Sequence, residues 1–452
     1  MRRPRKRNSQ PNPPLLTRKK GNTMKKILYV VLDGLGDRPV PDLGDQTPLE
    51  SAETPGLDSL ATRGICGIVY PVGKGIAPES DIAVISILGY DPYKYYTGRG
   101  PLEAYAVGVD VRDGDLAFRA NFSTVGENWQ ITDRRAGRNL TTEEATELSR
   151  EINDGVKLTS APATFVFKNT VEHRAVLVFH NEARRLSGHV ANTDPAYGRE
   201  GMLGVALKEY EKRVQKCVPL EGATDPEGAR IAAELTNEFT EKSHAVLNKS
   251  EVNRKRVAEG KLPANVILNR DAGDRLPKFP SMNERYGMNF GCIVEMPVEK
   301  GIALLTGMHP IEIPPSGDNL QQRYEMIVRK VLDKLPDFDG IYVHIKGPDV
   351  PGHDGDYHLK KDIIEKIDRF FIAPLLEEVD LAHTAIIVTA DHSTPCLMKV
   401  HSDDPVPLLV SGGGLTADSV KVFSENECPK GDLGEMSGQD IMPTVVNRLR
   451  CQ

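Results

Sequence analysis

The sequence predicts an α/β fold: a mostly parallel sheet with helices on both faces, plus an inserted smaller α+β domain. Three features lead there. First, residues 27–32, 340–345 and 384–389 are apolar runs without polar alternation, the pattern of strands buried on both faces of a parallel sheet. Second, an amphipathic stretch at 357–376 separates the last two runs, with Leu359, Ile363, Ile364, Ile367, Phe370 and Phe371 on one face. Strand, helix and strand at that spacing form a parallel unit expected to cross over right-handed. Third, residues 141–274 carry apolar faces of their own, enough for a separate core.

In chain order, residues 1–23 hold eight basic residues and no acidic one, and are rich in Pro and Asn. They cannot bury enough apolar surface to fold, so they read as a disordered basic tail. Pro14-Leu-Leu-Thr17 is too short an apolar stretch for a signal peptide. The first strand follows and ends at Asp33-Gly-Leu-Gly-Asp37; Pro78-Glu79-Ser80-Asp81 then precedes an apolar segment at 84–88, with Ser80 placed to cap a helix. The insert reads as a charged helix (142–152), two strands (164–168 and 174–179), a loop around Asn192-Thr-Asp-Pro195, and a long helix with Ile231, Leu235 and Phe239 at helical spacing. The strand at 340–345 ends at Lys346-Gly-Pro-Asp349, the strand at 384–389 at Ala390-Asp391-His392, and residues 437–449 close the chain as a helix. The expected division is therefore 24–140 with 275–452 as one discontinuous domain, and 141–274 as the insert.

Composition narrows the function. The 452 residues carry 57 Lys and Arg against 64 Asp and Glu; without the tail, 49 basic residues face 64 acidic ones. A body with a balance of −15 does not offer a broad face to nucleic acid. Mean hydropathy of −0.37 and the lack of an apolar run of about 18 residues speak against a membrane span. Six scattered cysteines without a CxxC pair form neither a zinc site nor a disulfide framework, and fit free thiols in a reducing, cytoplasmic setting.

In open α/β sheets ligands bind beyond the carboxyl ends of the strands. Here Asp33 ends the first run, Asp349 and His353 follow the second, Asp391 and His392 end the third, and His401 precedes another apolar stretch. One Asp after a strand is usually a turn former, and one His usually a surface or core residue. Three strand ends carrying Asp or His together point to divalent metal bound by oxygen and nitrogen. Six such residues exceed what one open catalytic ion needs and suit two ions, the clamp used in phosphoryl transfer. Ser80 at a helix start lies where backbone N–H groups favour an anion, and metal coordination would lower its hydroxyl pKa.

Taken together, Val-Leu-Asp33-Gly, Ser80-Asp-Ile-Ala, Leu-Gly-Tyr-Asp-Pro92, Thr-Gly-Arg99-Gly-Pro-Leu-Glu-Ala104, Asp133-Arg-Arg-Ala-Gly-Arg138, Asp349-x-x-x-His353 and Ala-Asp391-His392 with His401-Ser-Asp-Asp-Pro resemble the archaeal-type cofactor-independent phosphoglycerate mutases of the alkaline phosphatase superfamily. The resemblance runs from Met24 to Leu449. It implies an alkaline phosphatase-like sheet and an isomerase that interconverts 3- and 2-phosphoglycerate, without 2,3-bisphosphoglycerate, through a phosphoserine on Ser80. It further implies one metal on Asp349, His353 and His401 and another on Asp33, Asp391, His392 and Ser80, with Mn²⁺ foremost and Zn²⁺ or Mg²⁺ as alternatives. Candidates to hold the small-molecule substrate are Arg99, Arg119, Asp133, Arg134, Arg135, Arg138, Lys300 and Lys346. Two positions depart from the family pattern: Glu79 stands where Gly is usual and Ile82 where Thr is usual. The competing readings keep the site and change the acceptor: a phosphomonoesterase, or a phosphotransferase acting on another small hydroxy acid such as homoserine.

Overall fold

A computed structural model describes residues 25–207, 209–314 and 319–451. The expected basic tail lies outside the described residues. Fifteen strands occur among them: β1 Lys26–Leu32, β2 Gly64–Tyr70, β3 Leu116–Val125, β4 Ile131–Asp133, β5 Ala163–Asn169, β6 Arg174–Asn181, β7 Tyr197–Glu200, β8 Leu203–Ala206, β9 Val266–Gly273, β10 Phe290–Ile293, β11 His309–Pro310, β12 Gly340–Ile345, β13 Thr384–Thr389, β14 Val406–Gly412 and β15 Gly434–Ser437.

The eight-stranded main sheet runs β11-β10-β12-β1-β13-β14-β2-β15. Its pairs are parallel from β11 to β13, β14 is antiparallel to both neighbours, and β15 is parallel to β2. The three apolar runs of the sequence are thus adjacent: β1 sits between β12 and β13, with Leu32 opposite Ile345 and Val31 opposite Thr389. That register brings the residues after all three strands to one end of the sheet. Every residue of β12 and β13 is buried, as a strand covered by helices on both faces requires.

The helix expected at 357–376 is broken into Tyr357–Ile367, a π turn at Asp368–Ile372, and Ala373–Glu378. Pro374 accounts for the wide turn: it has no N–H to give and its ring crowds the preceding turn. The helix after Glu79 spans Ser80–Ile87. Ser80 is its first helical residue rather than its cap, and Glu79 takes the capping position with no side-chain hydrogen bond.

A second, antiparallel sheet joins β5, β6, β3 and β9 side by side, with β4 pairing the end of β3. Helices Thr142–Gly155 and Pro226–Leu247 cover one face, where Leu148, Ile152, Leu235 and Phe239 pack with Phe167, Leu177 and Phe179. The boundary expected at 140/141 is corrected by β3. This strand precedes residue 141, yet it is the centre of the second sheet, hydrogen-bonded to both β6 and β9. Helix Arg99–Ala106 is wedged between the second sheet and helix Pro297–Leu305 through close backbone approaches. A Cβ on Gly100 would lie 2.2 Å from the Ala117 carbonyl oxygen, and one on Gly301 2.3 Å from that of Leu102. Only glycine allows such seating, and it holds this helix close against β3 on one side and helix Pro297–Leu305 on the other.

Candidate active site

The strand ends converge as their register requires. Asp33 leaves β1 just before Gly34, whose missing Cβ would fall 2.7 Å from that of Asp349. Asp349 opens the short helix Asp349–Asp354, so His353 lies one turn on and on the same face. Asp391 and His392 follow β13, and His401 stands before β14. The result is two neighbouring groups, Asp349, His353 and His401 in one and Asp33, Asp391 and His392 in the other, each with ligand atoms within 4.8 Å of one another. The rings of His392 and His401 stack at 3.7 Å and join the groups. Ser80 Oγ lies 3.1 Å from His392 Nε2.

The imidazoles are set up to ligate. Nδ1 of His401 donates to the Pro78 carbonyl at 2.8 Å, and Nδ1 of His353 to the Lys399 carbonyl at 3.1 Å. A carbonyl can only accept, so in each neutral ring Nε2 is the bare nitrogen and faces Asp349 Oδ1, at 3.6 and 3.4 Å respectively. His392 Nδ1 meets Thr394 Oγ1 at 3.0 Å, while Thr394 donates to Asp349 Oδ1 at 2.7 Å. His392 Nε2 faces Asp391 Oδ2 at 3.3 Å and Asp33 Oδ1 at 3.5 Å. Those two carboxylate oxygens are buried without a hydrogen-bond partner. Orphaned acceptors of this kind, aimed at a common point, fit a cation.

The electrostatics agree. Burial, reinforced by the charge of Asp33, drives the Asp391 carboxyl well above the usual carboxylate range. Burial also opposes ionisation of Asp349, but a hydrogen bond from His401 and the charges of His392, His401 and His353 hold it well below that range. His392 is pushed down to about 3 by burial and by His401. His401 is pushed up to about 10: burial works against its charge, and Glu79 and Asp349 outweigh burial. In the metal-free protein a proton on His401 therefore supplies part of the positive charge this acidic site demands. Lys346 supplies more, at 2.8 Å from Asp33 Oδ2 and 2.7 Å from Glu299 Oε1.

A basic group from the second sheet faces the same region. Arg119 on β3 and Arg270 on β9 are direct cross-strand partners, an arrangement of like charges that disfavours the pair unless an anion lies between them. The Nε atoms of both lack a hydrogen-bond partner. Burial and the nearby Arg270 and Arg99 push Arg119 down to about 9. Arg99 is held by Glu103 at 2.6 Å, which also lies 3.5 Å from Arg119. Glu79, half-exposed beside Ser80, has its carboxyl held low against the effect of burial by His401, Arg99 and Arg270. Arg270 lies 3.7 Å over the Tyr197 ring, and Arg134 flanks the same ring at 5.1 Å while gripping Asp194 through two nitrogens.

Asp133, Arg134, Arg135 and Arg138 line a cavity of ≈ 320 Å³ with Tyr210 and Lys212. Asp133 Oδ1 accepts the backbone N–H of Arg135 at 2.7 Å and of Gly137 at 3.0 Å, so this carboxylate shapes the loop. Lys300, expected beside the substrate, instead pairs with Glu312 at 3.0 Å; the buried residue from its helix that reaches the site is Glu299. Sequence reasoning also missed Arg270, Tyr197 and His344. A His inside an otherwise apolar strand, and Arg-Asp ending a buried one, were the available signals.

Comparison with known proteins agrees with this geometry. Residues 61–253 match the family model of 2,3-bisphosphoglycerate-independent phosphoglycerate mutase. A protein of that name from Aeropyrum pernix is 44% identical over 430 residues, covering 94% of this chain and 99% of the relative. Its counterpart from Thermococcus kodakarensis is 41% identical over 428 residues, covering 94% and 97%. Among solved structures, the cofactor-independent phosphoglycerate mutase from Thermoplasma acidophilum superposes with a TM-score of 0.61 at 37% identity, covering 94% of this chain and 100% of that one. The PH0037 protein from Pyrococcus horikoshii superposes with a TM-score of 0.77 at 34% identity, covering 95% and 98%. With near-complete coverage at that identity, the chain belongs to the 2,3-bisphosphoglycerate-independent phosphoglycerate mutase family.

Proposed function

We propose that the chain interconverts 3-phosphoglycerate and 2-phosphoglycerate through a phosphoserine on Ser80. The observation that carries this reading is the Ser80 hydroxyl standing 3.1 Å from His392 at the junction of the two ligand groups. Asp349, His353 and His401 would hold one divalent ion, and Asp33, Asp391 and His392, with Ser80, a second. Mixed carboxylate and imidazole donors suit Mn²⁺ or Zn²⁺ ahead of Mg²⁺. Such ions, when bound, supply Lewis acidity that lowers the serine hydroxyl pKa and neutralises the phosphoryl oxygens.

The protein's own residues do the rest. Ser80 Oγ bonds to phosphorus as the bond to the substrate oxygen breaks, and the serine proton ends on the released glycerate. The glycerate then turns, and its other hydroxyl oxygen takes the phosphoryl group back as Ser80 regains a proton. Arg119, Arg270, Arg99 and the Arg134 loop are suited to hold the glycerate carboxylate through paired N–H donors during that turn. With Arg119 and Arg270 on the second sheet, Arg134 on the loop after β4 and Arg99 on the helix packed against that sheet, this part of the chain forms a cap that keeps water out between the two half-reactions. Lys346, between Asp33 and Glu299, balances charge at the metal side. The buried free cysteines fit a reducing cytoplasmic setting, and no helix among the described residues is long and apolar enough to cross a membrane.

The test is a coupled assay with 3-phosphoglycerate and added Mn²⁺, no 2,3-bisphosphoglycerate, and an acid quench to trap label on Ser80. Formation of 2-phosphoglycerate with transient phosphoserine is expected. Release of inorganic phosphate as the main product would make the enzyme a phosphomonoesterase instead.

A further inference from the structure

His344 lies inside β12, 1% exposed, and none of the roles assigned above uses it. Its Nδ1 is 3.2 Å from the hydroxyl of Tyr342, two residues earlier on the same face of the strand. Its Nε2 has no hydrogen-bond partner and stands 3.6 Å from Asp391 Oδ2 and 4.0 Å from Asp33 Oδ1, the two oxygens that are themselves buried and unpartnered. A buried polar atom in that position calls for an explanation. Two tautomers are available. If Nε2 were bare, its lone pair would face two carboxylate oxygens at close range. If Nε2 carries the proton, its N–H dipole points at both. The Tyr342 hydroxyl selects the second arrangement, because a buried hydroxyl needs an acceptor and Nδ1 is the acceptor beside it.

We propose that His344 is a positioning residue for the metal site: Tyr342 donates to Nδ1, and Nε2–H is thereby directed at Asp391 and Asp33, orienting these carboxylates toward the ion. His344 is not itself a ligand in this arrangement. Its Nε2 stays outside the compact group formed by Asp33, Asp391 and His392. Lys346, two residues further along, does the corresponding work on the other oxygen of Asp33. The inference rests on the reading that Asp33, Asp391 and His392 hold a metal.

Two measurements test it on the full-length protein. The first is ring ¹H–¹⁵N two-bond correlation of ¹⁵N-histidine-labelled, Zn²⁺-loaded protein, with His344→Gln used for assignment. A proton on Nε2 and a bare Nδ1 are expected. A metal-bound Nε2 with the proton on Nδ1 would overturn the proposal and make His344 a ligand. The second is Mn²⁺ titration followed by the electron paramagnetic resonance of the free ion. Tyr342→Phe, which keeps the ring and the packing, is expected to weaken Mn²⁺ binding about 10-fold, and His344→Leu about 10–100-fold, with turnover of Tyr342→Phe largely restored by excess Mn²⁺. A lowered melting temperature with unchanged Mn²⁺ affinity in both variants would reduce the pair to core packing. If the wild-type protein bound no Mn²⁺ or Zn²⁺, the metal reading itself would fail, an outcome separate from either result above.

Discussion

Ser80 stands at the first residue of a buried helix, so its hydroxyl is released from capping and turns to His392. If Ser80 is the nucleophile proposed above, replacing it with Ala leaves the six other proposed ligands in place, so turnover should fall by at least about 10³-fold while most Mn²⁺ binding survives. Parallel rate and metal-binding measurements check this, and unchanged turnover would remove Ser80 from the mechanism. Glu79 is the second informative residue. Its carboxylate lies in the field of Arg99, Arg270 and His401, where under the proposed function it would compete with an anionic substrate for the same cations. Glu79→Gly should therefore lower KM for phosphoglycerate, by roughly 2–10-fold given its partial exposure, with little change in kcat. A raised KM would mean that Glu79 instead orients the arginines. Asp33, Asp349, His353, Asp391 and His392 were legible in the sequence because each follows a strongly apolar strand or sits at fixed spacing from one that does, and His401 because it stands just before another apolar run. Arg270 and His344 were not, because their meaning depends on which strand lies alongside.

Among the elements, β3 was the least legible. The sequence reading places no strand at 116–125, and nothing local states that this segment belongs with β6 and β9 rather than with the main sheet. That pairing places Arg119 opposite Arg270 and builds the cationic wall. The loop bearing Arg134 and Arg138 depends on another buried cation. Arg256, with a fully buried side chain, donates to the carbonyls of Leu262, Asn139 and Ala136, to Asn139 Oδ1, and to Glu144 Oε2 at 2.6 Å. Arg256→Met should cost about 3–5 kcal/mol, because Glu144 and several acceptors lose their partner together. It should also open the 133–139 loop to protease. Urea denaturation and limited proteolysis read the two effects, and an unchanged midpoint would show that Glu144 and the carbonyls find other donors.

For the whole molecule, the proposed metal site predicts a competition between metal and proton. Chelation should abolish turnover and lower the melting temperature, both restored by Mn²⁺, because an ion bound only by the folded state stabilises it by mass action. The sign of the pH dependence follows from His401. Its pKa, near 6.5 in the unfolded chain, is raised to about 10 in the folded metal-free protein. Its protonated form thus stabilises the metal-free fold fully below about pH 6.5, and that contribution disappears as pH rises through about 10. Metal must displace this proton, so apparent metal affinity should rise from pH 7 to 9, by up to about tenfold per unit, with proton release on binding. The melting-temperature gap between loaded and metal-free protein should widen over the same range. Calorimetric titration in buffers of different ionisation heat counts the protons, and binding without proton release would refute the assignment.

The sequence by itself determined the buried strands, the chemistry carried at their ends, and the family to which the chain belongs. These are properties of local composition and of order along the chain. Tertiary structure alone decided that β1, β12 and β13 lie side by side in the register that gathers their ends. It also decided that β3 leaves the main sheet, that Arg270 meets Arg119, and that the two nitrogens of His344 face a hydroxyl and a pair of carboxylates. Each of these depends on pairing between segments distant in the chain, and hydrogen-bonded partners across strands leave no periodic trace in either strand alone.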